Sequence, residues 1–365
     1  MSREKPLQSE KFLAANDVLR LVRGYDKMST EVRLTMEQTS VLSLLMEAGK
    51  GYISGEAMSQ RLGITRAAVW KQIAKLRQRG YVIEASTRLG YRLSAQPEPL
   101  EQERILELLG DHPFRQHMIV LDSVDSTNNY LKLLAGQGAP HGTIAIADEQ
   151  TGGRGRQGRS FASPKGVGLY YSLLLRPDCA PAEASHLTAM VAVAVCDAIE
   201  AAAGVRPGIK WTNDIILNEK KLVGILTEMS AEWESGTLQY LVTGIGINCN
   251  HQLTDFPESV QPMATSLALE LGHPVDRCLL AAELTKSLGH VAEEIISGKQ
   301  AWLERYRKDC ITVGRQVQVI RGDSRRTGLA TGIDENGGLI VHYDSGETGV
   351  VYSGEVSVRG LYGYV

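Results

Sequence analysis

The sequence predicts an α+β multidomain protein: a winged helix-turn-helix, a larger mixed α/β unit and a small β-barrel. Helical spacing over residues 39–79 gives way to a hairpin pattern at 81–93. Separate apolar runs then alternate with two long helical patterns between residues 100 and 309. From residue 312 onward, short apolar runs are broken by Gly, Asp and Asn turns. A chain of 365 residues has room for two to three domains at roughly 150 residues each.

Residues 1–38 are polar apart from a weakly apolar stretch, Phe12 to Val22, and read as an N-terminal extension with little structure. Residues 39–95 form the first module. Val41, Leu44 and Leu45 repeat at helical spacing, and a second helix runs from Gly55 to Leu62. Gly63 supplies a turn, and a third helix from Thr65 to Arg79 turns Val69, Ile73 and Leu76 inward. Thr65 suits its N-cap and Gly80 its stop. Tyr81–Ala85 and Tyr91–Leu93 flank a hairpin turn, and Ser94–Pro99 reads as a linker.

In the second module, 100–309, strands are expected at Thr143–Ala147, Leu169–Leu175, Ile215–Leu217, Leu222–Leu226 and Leu238–Ile247. Ala182–Ala203 and Cys278–Ile296 are expected helices. The third module, 312–361, offers Val317–Ile320, Thr327–Thr331, Leu339–His342 and Val350–Val351 as strands.

Charge is uneven. The total is −3, which excludes a globally basic nucleic-acid coat. Yet Arg61 to Arg92 contains eight basic residues and one acid, Glu84. The third helix would present Arg66, Trp70, Lys71 and Lys75 outward, with Thr65 at its start, Arg61 before it and Arg88 on the hairpin tip. Such a helix with a basic wing suits major-groove docking and phosphate neutralisation. A solvated basic helix is the plainer alternative. The five cysteines form no C-x-x-C pair, and neither H-E-x-x-H nor any other metal site is expected. No apolar run reaches the ~18 residues of a bilayer span, so a cytoplasmic protein without a membrane is expected.

Gly153-Arg-Gly-Arg-Gln-Gly158 fits a dinucleotide fingerprint formally, but Ser160, Ser163, Pro164, Gly166 and Gly168 occupy the place of the phosphate-binding helix. Thr151–Lys165 holds four cations and no acid. A flexible cationic loop suits a polyanion, with glycines admitting close backbone approach and Arg forks clamping phosphate. It is also readable as a basic surface loop. Lys210, where a strand begins, precedes the polar pair Asn213 and Asp214. Lys210 reads as a cation for phosphate or as a strand-edge lysine. Ser126 and Thr127 in Asp125–Asn128 read as ligand contacts or as a helix N-cap.

Together GRGRQGR (153–159), KWTND (210–214), DSTN (125–128), KLVGIL (221–226) and GIGIN (244–248) resemble, in this order, the biotin–protein ligases that double as biotin operon repressors. The likeness covers residues 40–360. It implies a class II synthetase-like ligase domain and an SH3-like C-terminal barrel. The implied reaction uses biotin, ATP and Mg2+ to form biotinyl-5′-adenylate, then acylates a lysine of the biotin carboxyl carrier protein of acetyl-CoA carboxylase. Ser126, Thr127, Asn128, Gln150, Arg154, Gly155, Arg156 and Lys210 would contact biotin. Arg156, Arg159, Lys210, Asn213 and Asn248 would hold the adenylate, with Arg156 and Lys210 central to catalysis. The likeness also implies biotin operator DNA as a partner and a homodimer when adenylate is bound. Two positions depart from the family. Thr212 stands where Pro is usual, which should loosen the turn after Trp211, and Phe161 stands where Trp is common. A lipoate-type ligase or a non-enzymatic sensing repressor are the rival expectations.

Overall fold

The computed structural model describes residues 40–78, 81–95, 99–232, 237–352 and 356–360. The 1–38 extension, Arg79, the Gly80 stop and residues 96–98 of the 94–99 linker lie outside them.

Helices α1 (Val41–Glu47), α2 (Gly55–Leu62) and α3 (Arg66–Gln78) precede the hairpin β1 (Val82–Ser86)–β2 (Gly90–Ala95). Ser40, Ser54 and Thr65 accept backbone N–H groups at the three helix starts, satisfying donors the first turns leave over. Val41, Leu44, Leu45, Met58, Val69, Ile73, Leu76 and Ile83 form a core separate from the rest of the protein. The wing is tied in by the antiparallel bridge between Ile53 and Tyr91.

The central unit is one seven-stranded sheet. Its strands are β3 (Met118–Leu121), β4 (Thr143–Ala147), β5 (Leu169–Leu175), β6 (Gly208–Lys210), β7 (Asp214–Leu217), β8 (Lys220–Ala231) and β9 (Leu238–Ile247). The order is β3-β4-β5-β9-β8-β7-β6; only β3 and β4 run parallel. Its helices are α4 (Gln102–Leu109), α5 (Thr127–Gly136), α6 (Leu187–Ala203), α7 (Leu267–Leu271), α8 (Arg277–Glu294) and α9 (Lys299–Asp309). The large core joins sheet residues such as Leu173, Ile225 and Ile245 to α6 and α8. A smaller cluster under α5, with Tyr130, Leu131 and Leu134, covers other sheet residues such as Ala145, Tyr170 and Val242. The strands β4 and β5 are buried at every position, which is why they read as unbroken apolar runs.

The Ala-rich helix starts at Leu187, five residues later than its composition suggests, after a 3-10 turn at Pro181–Ala184. Segment Pro181–Ala203 is long and apolar enough to span a bilayer, yet 67 % of its apolar window is buried inside the protein. The C-terminal strands β10 (Gln316–Arg321), β11 (Ser324–Ile333), β12 (Leu339–Tyr343), β13 (Thr348–Val351) and β14 (Val356–Gly360) form an antiparallel sheet ordered β13-β12-β11-β10-β14.

Candidate functional site

The antiparallel register of β6 and β7 makes Lys210 and Asp214 Cα partners, so the KWTND segment is a tight reversal with a cation and an anion side by side. Lys210 ends β6 rather than starting a strand, and it is only 8 % exposed. From β8, Lys221 donates to Asp214 Oδ1 at 2.6 Å. The turn itself is held from several sides. Trp211 donates its backbone N–H to Thr312 Oγ1 and its indole N–H to the Gly337 carbonyl, each at 2.9 Å. Tyr306 O–H donates to the Thr212 carbonyl, and the Trp211–Thr212 peptide bond is cis.

The glycine–arginine loop folds back on itself. Gly155 N–H donates to the Arg159 carbonyl at 2.7 Å, and Phe161 N–H donates to the Gly153 carbonyl. The Gly155 amide thus serves the loop instead of reaching outward, and close packing explains a glycine at 153. A Cβ on Gly153 would lie 2.4 Å from the Phe161 carbonyl oxygen. Arg156 is turned inward and donates from Nη1 to Asn213 Oδ1 at 3.0 Å and Thr212 Oγ1 at 3.1 Å. Burial pulls its pKa down and nearby Asp214 pushes it back up; a guanidinium stays charged through such shifts.

At the other end, Gln150 Oε1 accepts from Thr127 N–H and Thr127 Oγ1–H at 2.9 and 3.1 Å, and Gln150 Nε2 donates to Ser163. Asn128 donates both amide protons, to Glu228 Oε2 at 2.8 Å and to the Leu226 carbonyl, while Ser172 donates to its Oδ1 at 2.6 Å. Only a lone pair on Oδ1 is left for a ligand. Burial raises the Glu228 pKa, but hydrogen bonds from Lys132 and Asn128 outweigh it and hold the carboxyl below its usual value. Ser126 occupies the N-cap position of α5 without a side-chain capping bond, so the simple-cap reading fails for it.

These groups line one cavity of about 970 Å3, at the upper end for small-molecule sites. Ser126, Thr127, Asn128, Gln150, Arg154, Gly155, Arg156, Arg159, Lys210 and Asn213 all face it. Asn248 does not: its amide is buried and donates to the Thr265 carbonyl at 2.9 Å. Six cations against two carboxylates, Asp214 and Glu219, make the lining suited to a ligand with several negative charges. The apolar floor is Gly224, Ile225, Gly244, Ile245 and Gly246, with Phe161 above it. A Cβ on Gly246 would sit 2.5 Å from the Phe161 ring, and one on Gly244 would sit 2.3 Å from Asn128 Oδ1. Lys221 and Asp214 were not among the expected ligand contacts, and Ser172 and Glu228 were missed as the supports of Asn128. Glycines on adjacent strands β8 and β9 were the available signal for a flat floor under a ligand.

In the N-terminal module, Arg61, Thr65, Arg66, Trp70, Lys71, Lys75 and Arg88 are all exposed. The local charge is partly internal. Arg61 pairs with Glu47 at 2.8 Å, Arg66 approaches Glu56 at 3.6 Å, Arg92 pairs with Glu84 at 2.6 Å, and Arg77 donates to the Ile83 carbonyl. Exposed pairs such as the first two are weak enough for phosphates to displace the carboxylates.

The fold and site define a class: a mixed-sheet domain with a cation-lined cavity suited to a polyanion, accompanied by a helix-turn-helix module. Residues 120–248 match the model of the biotin/lipoate A/B protein ligase family, 37–92 an HTH domain and 312–359 the biotin protein ligase C-terminal domain. The bifunctional ligase/repressor BirA of Bacillus spizizenii is 38 % identical over 323 residues, 87 % of this chain and 97 % of that protein. Its Escherichia coli namesake is 32 % identical over 88 % of this chain and 98 % of its own. The biotin protein ligase of Aquifex aeolicus, solved with biotin and ATP, is 31 % identical with a TM-score of 0.57, covering 67 % of this chain and 99 % of that one. This chain belongs to the biotin–protein ligase family, in its bifunctional ligase/repressor form.

Proposed function

We propose that the cavity binds biotin along the glycine floor and ATP against the 153–159 loop. A biotin carboxylate oxygen attacks the α-phosphorus, the bond to the bridging oxygen breaks, and pyrophosphate leaves. The amine of the carrier protein's lysine then attacks the acyl carbon of biotinyl-5′-adenylate. AMP departs, an amide forms and the amine's proton passes to solvent. Both reactants of the first step are anions, and fixed cations overcome their repulsion. Lys210, Arg156 and Lys221 supply that charge; Arg154 and Arg159 close over the nucleotide. Ser126, Thr127 and Gln150 orient biotin, and no side chain here needs to act as a nucleophile. A Mg2+ ion would be carried mainly by the triphosphate, where it would neutralise phosphate charge.

The observation that carries this reading is the convergence of ten expected contacts on one cationic cavity with an apolar floor. The acceptor is the biotin carboxyl carrier protein of acetyl-CoA carboxylase, and the setting is cytoplasmic. In the adenylate-bound homodimer, the end of α2, α3 and the β1–β2 wing bind biotin operator DNA through Arg61, Thr65, Arg66, Trp70, Lys71, Lys75 and Arg88. By linkage, adenylate favours the DNA-binding form and DNA favours adenylate equally. Labelled biotin with ATP should label the carrier protein, and a biotin operator fragment should shift only with biotin plus ATP. Pyrophosphate exchange stimulated by lipoate but not biotin would overturn the substrate; DNA binding with no acceptor labelling would overturn the enzyme.

A further inference from the structure

Proline cannot make the contacts that residue 212 makes here. The Thr212 hydroxyl is nearly buried, accepts from Arg156 Nη1 at 3.1 Å and donates toward Asn213 Oδ1 at 3.3 Å. Asn213 is itself oriented, because its Nδ2 donates to the Ile225 carbonyl at 2.8 Å on β8. The three groups close a ring: one guanidinium nitrogen reaches both oxygens, and the hydroxyl bridges them. None of this requires a ligand. The backbone ties of the 153–161 segment described above stay within the loop, whereas these side-chain bonds cross to the cavity wall.

We propose that Thr212 is a positioning residue: its hydroxyl, with the Asn213 amide, docks the Arg156 guanidinium in the cavity before nucleotide or biotin arrives. The loop then loses less conformational freedom when ligand binds, and Arg156 is already aimed at the phosphate region. This rests on the reading of Arg156 as the cation that retains the adenylate. A proline at this position would leave the asparagine alone to dock the arginine, so the hydroxyl tunes retention in this chain.

The test uses the full-length protein with Thr212→Val, which keeps the β-branched shape without the hydroxyl, Thr212→Ser, which restores it, and Arg156→Ala as reference. Two quantities are read: release of preformed biotinyl-5′-adenylate under a chase of unlabelled biotin, and the rate of tryptic cleavage within residues 151–165 of the ligand-free protein. Thr212→Val should release adenylate roughly 3- to 10-fold faster, the scale of one hydrogen bond to a charged group partly replaced by water. It should also be cleaved faster, while Thr212→Ser stays within about twofold of the parent in both. Unchanged or slower release from Thr212→Val, with fast release from Arg156→Ala, overturns the proposal and leaves the role of Arg156 standing. If Arg156→Ala itself releases normally, that role falls, and cleavage alone decides the docking: equal rates for Val and Ser overturn it, and a faster Val supports it. A purely structural role for Thr212 would lower thermal stability without separating Val from Ser in these rates.

Discussion

Replacing Asp214 by Asn keeps the side chain's shape and removes its charge from the middle of a cation cluster. Asp214 accepts from Lys221 at 2.6 Å, neighbours Lys210 across the strands and acts electrostatically on Arg156. At that separation and an effective dielectric of about 20, the Coulomb attraction to Lys221 is about 6 kcal/mol before any desolvation is subtracted. The two side chains are 29 % and 19 % exposed, so solvent screens much of it and the net loss is about 2–3 kcal/mol. For a module of roughly 200 residues this lowers Tm by about 4–12 °C in the ligand-free protein. A phosphate in the cavity replaces the missing negative charge. Saturating biotin plus ATP should therefore raise Tm more in Asp214→Asn than in the parent, closing part of the gap. Thermal unfolding of the full chain with and without both ligands reads this directly. An unchanged Tm, or a gap of the same size in both conditions, would refute the idea that Asp214 stands in for ligand charge.

Three further outcomes follow from other sites. Burial holds the His251 pKa down to about 3, so the folded protein keeps this ring neutral where the unfolded chain takes up a proton. Its contribution is present above the ordinary histidine pKa and is lost as pH falls toward 3; between pH 8 and 5 that is about 2 kcal/mol, and His251→Gln should flatten the pH dependence of denaturant stability by that amount. Arg156→Gly should free the adenylate and spread biotin onto lysines of bystander proteins, seen by blotting; retained acceptor selectivity would contradict the site. Lys71→Ala with Lys75→Ala should cut the salt slope of operator binding by about 2 while acceptor labelling stays at the parent rate; an unchanged slope would remove both lysines from the phosphate contacts.

Much of this was legible because local pattern and tertiary role agree. β4, β5 and β9 match their apolar runs end to end; for β4 and β5, burial on both faces leaves no polar alternation. The same holds for α2 and α3, where caps and an inward stripe coincide. What escaped depends on long-range placement. The α9 helix is polar enough to hide its buried Trp302, Leu303 and Tyr306. Strand β14 is specified by pairing with β10, far from it in sequence. In the site, the charges of Arg156, Lys210 and Arg154 were visible, whereas the pairing of Lys132 with Glu228 joins residues 96 apart. The second glycine of the loop looked like a ligand amide because its partner, the Arg159 carbonyl, is fixed only by the loop's fold. Asn248 matched a motif, but its amide serves the neighbouring segment at Thr265.

The two hydrogen bonds from Trp211 have a consequence for how the chain can be divided. Their acceptors, Thr312 and the Gly337 carbonyl, lie beyond the central sheet, in the segment that makes the C-terminal sheet and its turn. A truncation before residue 312 would strand a backbone donor and an indole donor beside a nearly buried ring, each at about 1–3 kcal/mol. That loss falls on the reversal carrying Lys210 and Asp214. The smallest self-sufficient ligase in this chain therefore extends past the strands that build the cavity, because Thr312 and Gly337 brace from outside the reversal that forms part of its wall.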